Sequence, residues 1–192
     1  AFDKKINVSG DKSLSIRWVL LASQAIGKSR AYDLLMSEDV LAAIDSIKKL
    51  GIKVKLYQNY CEIFGNGING FKYKKNLTID AKNSGTLGRL LLGLLIKSPQ
   101  KIKIIGDKSL SNRDFSRVTM PLESFGAKFY YKIKNKLPLS ILGSESIKSI
   151  KYLENKGSAQ CKSSVMLAAL NAPGTTSIKA KKSRNHTELL FR

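Results

Sequence analysis

Lys12, Ser13 and Arg17 follow Gly10 and Asp11 in the stretch SGDKSLSIRWVLL (residues 9–21), where cations and hydroxyls meet the start of an apolar helical pattern. The chemistry open to such residues is anion recognition. Gly10 permits a tight turn, and Asp11 or Ser13 can cap the helix. Its first backbone N–H groups are left without partners at the positive end of the helix dipole. Lys12 adds a mobile point charge, and Arg17, about one turn further on, adds a planar fork suited to a carboxylate or phosphate. Taken alone, this stretch reads more plainly as a capped helix with solvated charges. Recurrence shifts the balance. Asn83-Ser84-Gly85-Thr86 and Gly157-Ser158-Ala159-Gln160 open two further apolar helical patterns with small polar residues. Related by a pseudo-threefold axis, such helix starts would sum three positive ends over one patch. Arg17, Arg89, Arg113 and Arg184 would then crowd that surface, at an electrostatic cost that an anionic ligand relieves.

The elements that must position these residues follow a repeating order. Residues 4–8 alternate like a short strand, and 13–26 read as a helix stopped by Gly27. A strand is expected over 30–35. Ser37 then opens a second helix with Val40, Leu41, Ile44, Ile47 and Leu50 on one stripe and Gly51 as its stop. Strands over 53–57 and 60–64 close in the turn Gly65-Asn66-Gly67. The order helix, strand, helix, strand, strand returns with a helix over 86–96, a strand over 102–105, a helix over about 113–125 and strands over 128–133 and 139–142. Pro121 is placed to kink or restart that second helix. A third copy opens with a helix over 158–170 and a strand over 175–179. A spacing of about sixty to seventy residues exceeds solenoid periods and points to packed α/β units.

At 192 residues and 43% hydrophobic, the chain can bury a sizeable core. Its formal charge of +20 favours anionic partners without choosing among nucleic acid, phosphometabolites and acidic membranes. The excess is mostly Lys spread through every segment, which reads as a solvated surface and not as a nucleic-acid tract. Cys61 and Cys161 have neither metal spacing nor a disulfide framework, which favours a reducing cytoplasm. The longest apolar run, Leu90 to Ile96, is far short of the roughly 18 residues that span a membrane, so a soluble, cytoplasmic protein is expected. The chain starts at Ala1 and stops at Arg192 inside the apolar helical pattern of SRNHTELLFR, which leads us to expect a fragment.

Five segments together resemble the family of 5-enolpyruvylshikimate-3-phosphate synthase (3-phosphoshikimate 1-carboxyvinyltransferase). They are GDKSLSIR (10–17), NSGTLGRLLLG (83–93), GDKSLSNRDFSRVTMPLESFGA (106–127), GSAQCKSSVMLAAL (157–170) and SRNHTELLFR (183–192), in family order and spacing. The resemblance implies an α/β fold of internally triplicated helix-strand-helix-strand-strand units forming one lobe of the enolpyruvyl transferase fold. Residues 1–9 would be a strand leading from or toward a second lobe, and 10–192 the N-terminal lobe, with units of about 10–76, 77–146 and 147–192.

By the same resemblance Lys12 contacts both substrates, and Ser13 and Arg17 hold shikimate 3-phosphate, with Arg17 on its carboxylate. Gly85 and Arg113 line the phosphoenolpyruvate pocket, with Asn83 supporting the turn. Ser158, Ala159 and Gln160 belong to the shikimate-phosphate site, and Gln160 also reaches phosphoenolpyruvate. Arg184, with Ser183 beside it, fits the position that binds the 3-phosphate. The implied partners are these two small molecules and a C-terminal lobe, in an enzyme monomeric at full length. No metal or organic cofactor is implied, and the acid-base groups are expected in the second lobe. Ser9, Ile16 and Asp114 depart from the family's usual proline, histidine and proline. Asp114 matters most, since an acidic neighbour can partly neutralise a phosphate-binding arginine.

Other residues read more plainly. His186 fits a hydrogen-bonded helix start and not a general base, while Cys161 and Trp18 fit core packing. Two other functions compete: the sister transferase acting on UDP-N-acetylglucosamine, whose lysine-asparagine helix start and cysteine-bearing loop are not seen here, and a basic nucleic-acid-binding module, for which no recognition motif accompanies the charge.

Overall fold

The computed structural model describes residues 3, 4 and 8–191, so most of the strand expected over 4–8 lies outside the described residues. Helix α1 (Lys12–Gln24) leads into strand β1 (Ile26–Tyr32), helix α2 (Glu38–Lys49) and strands β2 (Lys53–Leu56) and β3 (Tyr60–Asn66). β3 is the centre of an antiparallel sheet ordered β1-β3-β2, with Ile26 opposite Asn66 and Tyr32 opposite Tyr60. Next come β4 (Thr78–Asp80), α3 (Gly85–Leu94), β5 (Ile102–Ile105), the short α4 (Lys108–Ser111), α5 (Ser116–Phe125), β6 (Lys128–Tyr131) and β7 (Leu139–Leu142). Their sheet is ordered β4-β5-β7-β6 and is mixed, because β4 runs parallel to β5. β8 (Lys151–Glu154), α6 (Ala159–Ala169), β9 (Ser177–Ala180) and α7 (His186–Leu190) follow, with β8 and β9 paired in parallel.

Apolar helix faces decide the packing. Leu87, Leu90, Leu91, Leu92 and Leu94 of α3 are all buried, and α3 lies against α1, α5 and α6. Burying a leucine side chain is worth roughly 1.5–3 kcal/mol, so this helix anchors the core. Its close approach to α6 depends on Gly93, where a Cβ would fall 2.2 Å from the carbonyl oxygen of Ser164. α1 packs on α2 and on β3, burying Ile16, Val19 and Leu20. Cys161 is buried in the core, and Trp18 is half-buried against it.

Several boundaries differ from the pattern in the sequence. α1 stops at Gln24, and Gly27 (φ +88°) lies within β1, two residues past the extended C-cap Ala25. The sheet claims these residues: Ile26 and Gly27 pair with Asn66 and Gly65. Gly65 is thus a strand residue and not part of a turn. A Cβ there would sit 2.3 Å from the carbonyl oxygens of Ala22 and Ala25, so its role is close approach to the helix end. Leu41, expected on the buried stripe of α2, is 42% exposed. The helix expected over 113–125 starts only at Ser116, as α5, and runs through Pro121 without a break; the short α4 precedes it, with Arg113 in the link between the two. The short strands β4 and β8 carry no alternation from which to read them. Each forms by parallel pairing with a strand 25 or 26 positions away in register, Thr78 with Lys103 and Lys151 with Ser177.

Candidate functional site

Three helix starts open onto one cavity of about 490 Å³. Lys12 and Ser13 begin α1, Gly85 and Thr86 begin α3, Ala159 and Gln160 begin α6, and all six line it. Each helix is capped from outside its first turn: Asp11 accepts the Leu14 N–H at 2.7 Å, Ser84 that of Leu87 at 3.2 Å and Ser158 that of Cys161 at 3.3 Å. Each cap satisfies one backbone donor and leaves others free, at the positive end of the helix dipole. Arg17, Asn83, Arg113, Ser158 and Arg184 complete the lining with Asp39, Gly157 and Ser183. All ten residues expected at the site therefore share one cavity.

Arg17 is the most deeply embedded of the cations, 2% exposed. Its Nε donates to Thr187 Oγ1 at 2.9 Å and its Nη2 to Ser163 Oγ at 3.3 Å. Nη1 donates to the carbonyl oxygen of Ser13 at 3.1 Å and to the hydroxyl oxygen of the same residue. Thr187 Oγ1 donates in turn to Ser163 Oγ at 2.7 Å, and Ser163 Oγ to the carbonyl of Ala159 at 2.6 Å. The fork thus ties α1, α6 and α7 together. A guanidinium has five donors, and the four bonds leave one N–H for a ligand. Burial lowers the Arg17 pKa from its ordinary value; Asp11 opposes this, and the charge of Arg184 adds to it. Lys162, 8% exposed, props the Arg184 segment by donating from Nζ to the Arg184 carbonyl at 3.3 Å and by pairing with Glu188. Among the described residues the buried Ser183 hydroxyl has no hydrogen-bond partner, and neither does the buried Nδ1 of His186, which stands at the start of α7.

The opposite side is held more lightly. Arg113 sits in the α4–α5 link, exposed, with Nη1 3.1 Å from where a Cβ on Gly85 would lie. Asp114 does not pair with it: its carboxylate accepts the Ser116 N–H at 2.8 Å and the Ser116 hydroxyl at 2.7 Å at the start of α5, and these bonds lower its pKa. The feared neutralisation of Arg113 by an ion pair is absent among the described residues. Asn83 donates from Nδ2 to Asp107 Oδ2 at 2.6 Å, while Asp107 Oδ1 caps α4. Arg89 does not line the cavity but packs behind Gly85.

Two carboxylates tied to the site's helix starts escaped the sequence. Asp39, in the first turn of α2, lines the cavity and pairs with Lys12 at 2.9 Å. An acidic residue at a helix start is ordinary dipole chemistry, so nothing local marked it as facing Lys12. Glu154, 3% exposed at the end of β8, accepts the N–H groups of Lys156 (3.2 Å) and Ser158 (2.8 Å) and Nη2 of Arg117 (3.0 Å), shaping the turn that starts α6. Among the described residues no helix is long and apolar enough to cross a membrane, and no three His, Cys, Asp or Glu side chains form a group able to hold a metal ion.

Helix starts and guanidiniums converging on a polar cleft of an α/β lobe are an arrangement suited to small anions. The model of the EPSP synthase (3-phosphoshikimate 1-carboxyvinyltransferase) family matches residues 1–192, and the chain belongs to that family. It is 40% identical over 186 residues to the 3-phosphoshikimate 1-carboxyvinyltransferase of Lactococcus lactis subsp. lactis (strain IL1403), covering 96% of this chain and 43% of that one. The enzyme of the same name from Parvibaculum lavamentivorans is 40% identical over 189 residues, covering 97% and 42%. The EPSP synthase structure from Acinetobacter baumannii superposes with a TM-score of 0.91 at 34% identity over 98% of this chain and 43% of that one. The chain spans less than half the length of these relatives.

Proposed function

We propose that this chain is the lobe of a 3-phosphoshikimate 1-carboxyvinyltransferase that grips shikimate 3-phosphate and meets phosphoenolpyruvate. The reaction transfers the enolpyruvyl group of phosphoenolpyruvate to the 5-hydroxyl of shikimate 3-phosphate through a tetrahedral adduct, releasing phosphate, in the shikimate route to aromatic amino acids. The observation that carries this reading is that ten residues drawn from separate motifs line one cavity, among them four cations and the helix starts. Ser13, Arg17, Ser158, Ala159, Gln160 and Arg184 hold shikimate 3-phosphate. Asn83, Gly85, Arg113 and Gln160 face phosphoenolpyruvate, and Lys12 reaches both. Carboxylates and phosphates are the ligands for which forked and charged donors are suited.

The lobe divides into three related units at about 10–76, 77–146 and 147–192. It binds and polarises; proton transfer belongs to groups of a second lobe, since Asp39, the one carboxylate among the described residues lining this cavity, is held by Lys12. With that lobe the enzyme works as a cytoplasmic monomer. Titration of the 192-residue chain with shikimate 3-phosphate and with duplex DNA, at low and moderate salt, tests the reading. Saturable shikimate 3-phosphate binding is expected, weakened by roughly 1.5–3 kcal/mol in Arg184→Ala, the scale of a charged hydrogen bond. Salt-sensitive binding of DNA alone would assign the +20 charge to nucleic acid instead. Phosphate release from the two substrates is expected only when a second lobe is present, and turnover by the chain alone would relocate the acid-base groups into it.

A further inference from the structure

Gln160 lines the cavity with its side-chain amide held from behind. Arg89, half-buried on α3, donates from Nη1 to Gln160 Oε1 at 2.8 Å and from Nη2 to the carbonyl oxygen of Asp114 at 3.4 Å. Its guanidinium lies over the Phe115 ring, 5.1 Å from the centroid, so stacking as well as hydrogen bonding fixes its plane. A guanidinium has donors and no acceptor. The amide atom facing Arg89 must therefore be the oxygen, because the reverse orientation would set N–H against N–H. The other end of the amide follows: Nε2 donates one hydrogen to Thr86 Oγ1 at 3.1 Å, leaving the second for a ligand. Thr86 cannot impose this by itself, since a hydroxyl accepts or donates equally well.

Gly85 leaves the room this arrangement needs. A Cβ there would stand 2.8 Å from Arg89 Nη1, 3.1 Å from Arg113 Nη1 and 3.8 Å from Gln160 Oε1. Both guanidiniums thus reach the bare start of α3, one committed to Gln160 and the other turned to the cleft. We propose that Arg89 is a positioning residue that locks the Gln160 amide with its NH₂ group on the cleft, so that this corner accepts an anionic oxygen and disfavours a ligand donor. Without Arg89 the two amide orientations are nearly isosteric, and half of them would aim a carbonyl dipole at the anion. The inference rests on the anionic reading of the cleft for its ligand, and on the arginine-amide contact alone for its geometry.

The test uses proton–nitrogen NMR of the 192-residue chain, with the Gln160 side-chain amide assigned by its loss in Gln160→Met, alongside titration with inorganic phosphate and phosphoenolpyruvate. In the unaltered chain the two Gln160 amide protons should be well separated in shift and slow to exchange. Arg89→Met should collapse them to the pattern of a solvent-exposed glutamine and weaken phosphoenolpyruvate binding by about tenfold. Arg89→Lys, which keeps a donor, should restore the separation in part. Thr86→Val, which removes the neutral partner only, should leave the oxygen on Arg89 and most of the separation in place. Should Arg89→Met not fold, Arg89→Lys and Thr86→Val decide the matter: collapse of the separation in the threonine variant overturns the proposal, and its retention there with only partial retention in Arg89→Lys upholds it. Unchanged amide protons in a folded Arg89→Met protein overturn it as well, whatever happens to affinity. If the unaltered chain binds neither anion, the anionic reading of the cleft falls, and the amide signature still decides what Arg89 does.

Discussion

Arg17 and Arg113 face the same cavity from opposite surroundings. Arg17 is 2% exposed and bonded to hydroxyls and a carbonyl from three helices. Arg113 is exposed on a helix link, and its guanidinium has no hydrogen-bonded acceptor among the described residues. One cation is part of the fold and happens to present an N–H to the cleft; the other is available to a ligand and to little else. A preorganised donor costs nothing to align when a ligand arrives, whereas a free arginine must give up rotamer entropy. The shikimate-phosphate side of the cleft is on this reading set before binding, and the phosphoenolpyruvate side completes itself around its ligand.

The largest effect that can break this comparison comes from removing each arginine in turn. Arg17→Met deletes four hydrogen bonds in a buried network, and urea unfolding should show a loss of about 2–3 kcal/mol. Arg113→Met should leave stability within about 0.5 kcal/mol, as surface substitutions do, while weakening phosphoenolpyruvate binding. Similar unfolding midpoints for the two variants would show that the Arg17 network contributes no more to the fold than an exposed side chain.

A second prediction sharpens the contrast at the start of α6. Burial pushes the Glu154 pKa up, but the N–H groups of Ser158, Lys156 and Gly157 and the Arg117 guanidinium outweigh it, and the net shift is below the ordinary 4.5. The folded state then holds the proton more weakly than the unfolded one. The stability it contributes is complete above the unfolded value and is lost as pH falls through the folded value. Glu154→Gln puts an NH₂ group where an oxygen accepted, and should cost about 2 kcal/mol near neutrality. Its urea midpoint should also depend less on pH below 4.5 than that of the unaltered chain. Parallel pH curves for the two proteins would remove Glu154 from the acid-sensitive groups.

What the sequence discloses about the cleft and what it conceals divide along a physical line. Lys12, Gly85 and Gln160 are legible because helix starts have local chemistry: a small polar cap, free N–H groups and an apolar run behind them. Thr187 and Ser163 are not, because their work with Arg17 spans sequence separations of 170 and 146 residues and nothing local distinguishes them from other hydroxyls. Asp114 shows the reverse error, where a sequence neighbour of Arg113 suggests neutralisation while the side chain turns to Ser116 instead. In the fold, helices with apolar stripes are read to within a few residues. β4 and β8 are missed, since a three- or four-residue strand formed by parallel pairing carries its signal in its partner. Gly27 and Gly65 look like punctuation and are in fact strand residues, one at positive φ and one pressed against a helix end.

The smallest expected effect tests whether Lys12 belongs with Arg17 or with Arg113. Its partner Asp39 lies 2.9 Å away, and the two side chains are 57% and 16% exposed, so the pair is accessible to water and contributes at most about 1 kcal/mol to stability. Asp39 nevertheless places a negative charge on a cleft otherwise lined by cations and helix starts, and any anion that engages Lys12 must displace or share that contact. Asp39→Asn keeps the side-chain shape and removes the charge. It should change the unfolding free energy by no more than about 0.5 kcal/mol, part of it from the lost acid in the first turn of α2. Affinity for shikimate 3-phosphate should rise by about two- to fivefold, with most of the gain at low salt and little of it at high salt, as expected for a partly exposed charge. A fall in affinity would mean that Asp39 holds Lys12 in place for the ligand, as Thr187 and Ser163 hold Arg17, and would move Lys12 to the preorganised side of the cleft.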